Sequence, residues 1–222
     1  YTGFKVNGGE YKLMGLAPYG EPRFVKTILD NLIDVKDDGS FRLNQDYFDY
    51  ATGLTMTNKK FNNLFGRLPR NPENEDISQF HMDLGASIQK VTEEIILKIA
   101  RNLRTEYGIE NLCLAGGVAL NCVANGKILR EKIFKNIWIQ PAAGDAGGAL
   151  GSALLLWYNE FNNQRLTDKK DSMKGALLGP SYDNKQIESE LIKCDANFDY
   201  LDDDQLIKET VKQMVQERAI GW

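Results

Sequence analysis

The strongest pattern along the chain is a run of apolar residues recurring every three or four positions: Ile77, Phe80, Leu84, Ile88, Val91, Ile95, Ile99 and Leu103. This period gathers them on one face of an α-helix. Asp76 stands where an N-cap belongs and Gly108 where a helix stops. The pattern therefore predicts one amphipathic helix of more than about 25 residues with a single buried face. His81, next to Phe80, reads as a helix-flank residue without a catalytic role.

Two strand–turn–helix units follow. Asn111–Ala115 reads as a buried strand, Gly116-Gly117 as its turn and Val118–Arg130 as a helix. Asn136–Gln140 reads as a second strand, residues 141–145 as its turn and Ala146–Phe161 as a second helix. Alternation of this kind predicts an α/β domain. Before the long helix, residues 8–20 read as turn, short helix and turn. Leu29–Val35 and Phe41–Leu43 flank an Asp-Gly hairpin signal, and residues 44–75 read as loop with short helices. After the second unit, residues 162–174 read as a linker. Asp183–Lys193 and Asp203–Glu217 then read as helices around a short Phe198–Leu201 strand, too little chain for a core of its own.

Composition narrows the classes. The 222 residues are 42% hydrophobic and 26% charged, ordinary for a globular chain and incompatible with a disordered tail or a disulfide miniprotein. Lys and Arg number 27 against 31 Asp and Glu, a net charge of −4 that argues against nucleic-acid and anionic-membrane partners. The longest apolar stretch, Ala149–Trp157, falls far short of the roughly 20 residues of a membrane span. The single histidine excludes a three-His metal site within the chain. Cys113, Cys122 and Cys194 lack paired spacing; they read as small buried side chains and suit a reducing, cytoplasmic compartment. The chain opens on Tyr1 without a signal peptide and closes on Trp222 directly after a helical pattern, so it reads as an internal fragment.

The candidate chemistry lies in the glycine-rich turns. Helix N-termini present unpaired N–H groups, and glycine lets a phosphate approach the backbone closely. Neither a P-loop nor a dinucleotide fingerprint is present. Each turn alone is more often tight strand–helix packing; two in succession point to a nucleotide. Asp145, between Gly144 and Ala146, reads either as an N-cap on the amides of Gly147 or Gly148 or as a carboxylate ligand of a hard metal ion. Asn121 reads either as a local cap or as a ligand of ribose or phosphate. Glu10 and Lys12, beside Gly8-Gly9, read either as exposed helix charges or as contacts to a polar ligand.

Five blocks in order resemble the carbamoyltransferase family of nodulation-factor and antibiotic O-carbamoyltransferases. They are Gly9–Gly20 (GEYKLMGLAPYG), Asp38–Asn44 with Asp46–Phe48, Leu114–Asn121 (LAGGVALN), Pro141–Gly151 (PAAGDAGGALG) and Leu178–Tyr182. The resemblance implies that residues 1–175 form the second half of an actin–hexokinase-like ATPase domain, similar to that of the tRNA threonylcarbamoyladenosine synthases. Residues 176–222 would begin an α+β domain that forms carbamoyl-adenylate. It implies ATP, carbamoyl phosphate and a hydroxyl acceptor as substrates. It assigns Gly116, Gly117 and Asn121 to the adenylate, with Glu10 and Lys12 near the nucleotide, and Asp145 to a divalent metal, Fe or Mg. The family's His-x-x-x-His metal ligands are absent here, so the fragment alone is expected to be inactive. A homo-oligomer is compatible with this reading. A tRNA threonylcarbamoyl transferase-like enzyme and a non-catalytic nucleotide-binding module are the alternatives.

Overall fold

The computed structural model describes residues 1–166, 170, 171 and 173–222. The expected linker 162–174 falls partly outside the described residues. The chain divides into two units, Tyr1–Lys170 and Asp171–Trp222.

The first unit is organised around one helix. Helix α1 spans Glu10–Leu16 and runs into a 3-10 turn at Ala17–Tyr19; α2 spans Val25–Asn31. Strands β1 (Ile33–Val35) and β2 (Phe41–Leu43) form the expected antiparallel hairpin, with Val35 opposite Phe41 and Gly39 at φ +87°. Helix α3 covers Lys59–Phe65 and ends on left-handed Gly66. Helix α4 then runs for 29 residues, Gln79–Tyr107, and stops at Gly108 in the left-handed conformation (φ 65°), where glycine carries no Cβ penalty.

Helix α4 departs from the sequence reading in two ways. It starts at Ser78, not Asp76, because Ser78 and His81 close the first turn: the Ser78 N–H donates to His81 Nδ1 at 3.0 Å. His81 is accordingly only 1% exposed, not on the helix flank. The helix is also buried on two faces. Leu84, Val91 and Ile95 pack with Ile28, Leu32, Ile33, Phe61 and Phe65. Leu97 and Ala100 pack with Ile128 and Phe134. At about 100° per residue the second set lies on the opposite side from the first. Ile88 and Ile99, assigned to the apolar stripe, lie at its half-exposed edge.

The second face of α4 carries the parallel unit. Strands β3 (Asn111–Leu114) and β4 (Asn136–Ile139) pair in parallel, with Leu112 opposite Ile137 and Cys113 opposite Trp138. Leu112, Leu114 and Ile137 join the core beneath Ile128. Strand alternation turns Cys113 and Trp138 to the other face, so Cys113 is exposed and not in the core as its apolar run predicts. Cys122 is exposed too. The helix expected over Val118–Arg130 divides into a 3-10 turn, Gly117–Leu120, and α5, Cys122–Arg130. Helix α6 spans Asp145–Leu155 and passes into a π-helical turn, Leu156–Glu160. It is almost wholly apolar, yet none of its residues is buried.

The second unit holds α7 (Asn184–Lys193) and α8 (Asp203–Val215). Both begin with capping boxes, Asp183 with Gln186 and Asp202 with Gln205. The expected Phe198–Leu201 strand does not form: among the described residues of this unit there is no strand to pair with it. Cys194 is exposed.

Candidate functional site

The two glycine-rich turns lie side by side at the carboxyl ends of β3 and β4. Parallel pairing brings Leu114 opposite Ile139, and the chain continues past both into the turns. The Gly116 N–H donates to the Ala143 carbonyl at 2.8 Å, which ties one turn to the other. Gly116 has φ +101°, a conformation that a side chain would strain. A Cβ on Gly116, Gly117, Gly144 or Gly148 would meet nothing within 4 Å. The backbone there is open to a ligand on its outer side. Gly147 differs: its Cβ would sit 1.9 Å from the Ala142 carbonyl oxygen, so this glycine exists for packing.

Asp145 is exposed and is the first residue of α6; Gly144 holds the cap position. The capping bond to Gly147 or Gly148 allowed by the sequence is not formed, because the Gly144 carbonyl accepts from both amides at 3.1 and 3.4 Å. Among the described residues no three His, Cys, Asp or Glu side chains come together as a metal-binding group. Asp145 therefore supplies at most one ligand to a metal ion.

Asn121 ends the 3-10 turn and caps α5. Its Oδ1 accepts from the Ala124 N–H at 3.1 Å, and its amide exchanges hydrogen bonds with Gln89 of α4. Asn125 Nδ2 donates to the Ala119 carbonyl at 2.7 Å, which fixes the 3-10 turn from below. Beside it an apolar hollow of about 380 Å³ is walled by Ala119, Leu120, Leu129, Ile137 and Ile139.

Glu10 opens α1, and its carboxylate accepts from the N–H groups of Asn7 (2.7 Å) and Gly9 (3.1 Å). Backbone N–H groups, its own first and then that of Asn7, hold its carboxyl below the usual carboxylate range. Lys12 is exposed, its ammonium 5.9 Å from the centre of the Tyr11 ring. Gly85 of α4 abuts Leu13 and Ala17. Gln89, one turn further on, holds Asn121. The α1 segment and the Asn121 cap thus meet α4 about 6 Å apart along its axis. No hydrogen bond or ion pair among the described residues joins Glu10 or Lys12 to the glycine-rich turns.

A buried carboxylate escaped the sequence reading. Asp83 of α4 is 0% exposed; it accepts from the Glu21 N–H (2.7 Å) and Gln79 Nε2 (2.9 Å) and pairs with Arg23. Ser87 accepts from the Phe24 N–H at 3.0 Å. A Cβ on Gly20 would sit 2.1 Å from the Met82 carbonyl oxygen. These contacts clamp the end of the Gly9–Gly20 block onto α4. Their signal in the sequence was the polar spacing Gln79, Asp83, Ser87 along one edge of the apolar stripe.

A family model, carbamoyltransferase N-terminus, matches residues 1–154. The chain belongs to the carbamoyltransferase family. It is 57% identical, over its whole length, to an uncharacterized protein of Synechocystis sp., of which it covers 36%. It is 34% identical to the nodulation protein NolNO of Sinorhizobium fredii, across 96% of the chain and 29% of that protein. To the nodulation protein NolO of Bradyrhizobium diazoefficiens it is 33% identical, across 96% of the chain and 36% of that protein. The chain thus spans about a third of the length of these relatives. Among the described residues no helix is long and apolar enough to cross a membrane.

Proposed function

We propose that this chain is the nucleotide-binding part of an O-carbamoyltransferase, and that the activity belongs to a longer polypeptide. In this reading water takes the phosphate of carbamoyl phosphate as inorganic phosphate, and the carbamate oxygen attacks the α-phosphorus of ATP to give carbamoyl-adenylate with pyrophosphate leaving. The carbamoyl group then passes to a hydroxyl of a small-molecule or sugar acceptor. The observation that carries the reading is the pair of open glycine-rich turns joined through Gly116 and Ala143.

The residues divide the work. The backbone of Gly116 and Gly117 approaches the phosphate, and the N–H groups of Gly117, Asp145 and Ala146, which the bonds to Ala143 and Gly144 leave aside, stabilise the departing AMP. The apolar hollow beside Leu120 and Ile139 offers a wall to the base. Asp145 supplies one carboxylate to a divalent metal whose other ligands lie outside these 222 residues. Glu10 and Lys12 border the nucleotide from α1. Residues 1–175 are the second half of an actin–hexokinase-like domain, and 176–222 begin the adenylate-forming domain. The uncovered apolar surface of α6 supports an incomplete domain, since a helix apolar all round belongs in a core. The chain alone is then inactive.

Calorimetry of ATP with the full-length polypeptide tests this, together with pyrophosphate release on adding carbamoyl phosphate. A full-length protein that neither binds ATP nor consumes carbamoyl phosphate sinks the proposal. Tight tRNA binding that falls steeply with salt would instead favour a threonylcarbamoyl transferase.

A further inference from the structure

We infer that Gln89 is a positioning residue that orients the Gly116–Asn121 turn through the side chain of Asn121. The functional half of this inference rests on the nucleotide reading above. Gln89 and Asn121 exchange a reciprocal pair of amide hydrogen bonds: Gln89 Nε2 donates to Asn121 Oδ1 at 3.1 Å, and Asn121 Nδ2 donates to Gln89 Oε1 at 2.9 Å. Asn121 Oδ1 also accepts from Ala124, so its amide is engaged within the protein. Asn121 thereby serves the site as a fixture of the turn, and Gln89 decides which way that fixture points.

Gln89 is itself held in one orientation. Its Nε2 also donates to Glu93 Oε1 at 2.9 Å, and Glu93 is 4% exposed. A carboxylate accepts and does not donate, so a flipped Gln89 amide would set oxygen against oxygen. The other oxygen of Glu93 pairs with Lys127 of α5, six residues beyond Asn121. Two successive turns of α4 thus grip α5, one at its cap and one along its length. From Asn121 the 3-10 turn leads back to Gly116, and Gly116 bonds to Ala143 of the second turn. A half-buried amide of α4, braced by the buried Glu93 carboxylate, therefore sets the geometry of both turns.

The test uses the full-length polypeptide with ATP as the probe. Q89M keeps the length of the side chain and removes its polar atoms. It is expected to raise the Kd for ATP about tenfold while leaving the KM for carbamoyl phosphate within about twofold. N121A, which loses the Ala124 cap as well, should weaken ATP at least as much, and Q89M/N121A should be no worse than N121A alone, because the Gln89 pair is lost only once. Hydrogen exchange of the peptide containing Ala124 should quicken in Q89M. Q89E, which keeps polar atoms but opposes Glu93, carries the same readouts if Q89M does not fold. Wild-type ATP affinity in folded Q89M and Q89E, or losses that multiply in the double variant, would overturn the inference. A wild-type protein without ATP affinity overturns the nucleotide reading and the functional half of this one; exchange at Ala124 still decides whether Gln89 orients Asn121.

Discussion

The Gly116 N–H and the Ala143 carbonyl, 2.8 Å apart, join two loops that are 27 positions apart in the sequence. Through that one bond the AGGVALN and PAAGDAGG segments become a single surface. Its two glycine classes, open and packed, give the first prediction. G147A should lose about 1–3 kcal/mol of stability in urea unfolding, since its Cβ meets the Ala142 carbonyl oxygen. G148A, with nothing within 4 Å, should be neutral or gain about 0.5–1 kcal/mol as a helix residue. If phosphate approaches that backbone, G148A alone will lose ATP affinity without losing stability.

Asp145 offers a cleaner separation. Its side chain is exposed and makes no capping bond, so D145A should leave the unfolding midpoint within about 0.5 kcal/mol of wild type. In the full-length polypeptide the same variant should lose bound metal, measured by elemental analysis, and turnover. Retention of both would remove Asp145 from the site.

His81 should make stability depend on pH. Burial pushes its pKa below the ordinary 6.5, with the Glu75 carboxylate acting the other way. A lowered folded-state pKa means that the unfolded chain binds the extra proton first. Stability should therefore fall as pH drops through 6.5 and level off below the folded-state pKa. Urea midpoints between about pH 5 and 7.5 will show this slope in wild type and lack it in H81Q. An identical slope in H81Q would assign the effect elsewhere.

The Arg23–Asp83 pair should be asymmetric. Arg23 has a largely exposed side chain, whereas Asp83 is buried. R23A strands a buried carboxylate and should cost about 1–3 kcal/mol. R23A/D83N removes the stranded charge and should recover part of that loss. A double variant as unstable as R23A plus D83N summed would show that the two side chains are not coupled.

Glu10 should act locally. E10A removes the acceptor for the Asn7 and Gly9 amides, so exchange at both should quicken while the core around Val91 stays protected. Its lowered pKa predicts that this anchoring is present above pH 4.5 and is lost as pH falls through the folded-state value.

Much of this protein is local in origin and was legible in the chain. The 3.6 period of Leu84, Val91 and Ile95 predicts α4, and Gly108 ends it because only a residue tolerant of positive φ fits there. The hairpin at Asp38-Gly39 and both glycine-rich turns follow from similar backbone rules. The start of α4 did not, since Ser78 and Asp76 are equally good caps by type and the His81 ring chose between them. Cys113 was misplaced because a four-residue strand has two faces, and packing alone decides which is covered. The Phe198–Leu201 segment has strand-forming residues but no partner strand among the described residues of its unit, and an unpaired strand leaves its backbone groups without ladder partners.

The sequence by itself determined the long helix, the hairpin, the two glycine-rich turns and the kinship with carbamoyltransferases, because propensity, period and motif are short-range properties. Only the tertiary structure decided that α4 is buried on both sides, that Asp83 is an interior anchor and half-buried Gln89 a bridge to α5, and that Asn121 bonds its amide within the protein. Those outcomes depend on which polar groups lose water together. A carboxylate or amide that gives up water must find partners, and they lie 62 positions away for buried Asp83 and 32 for half-buried Gln89.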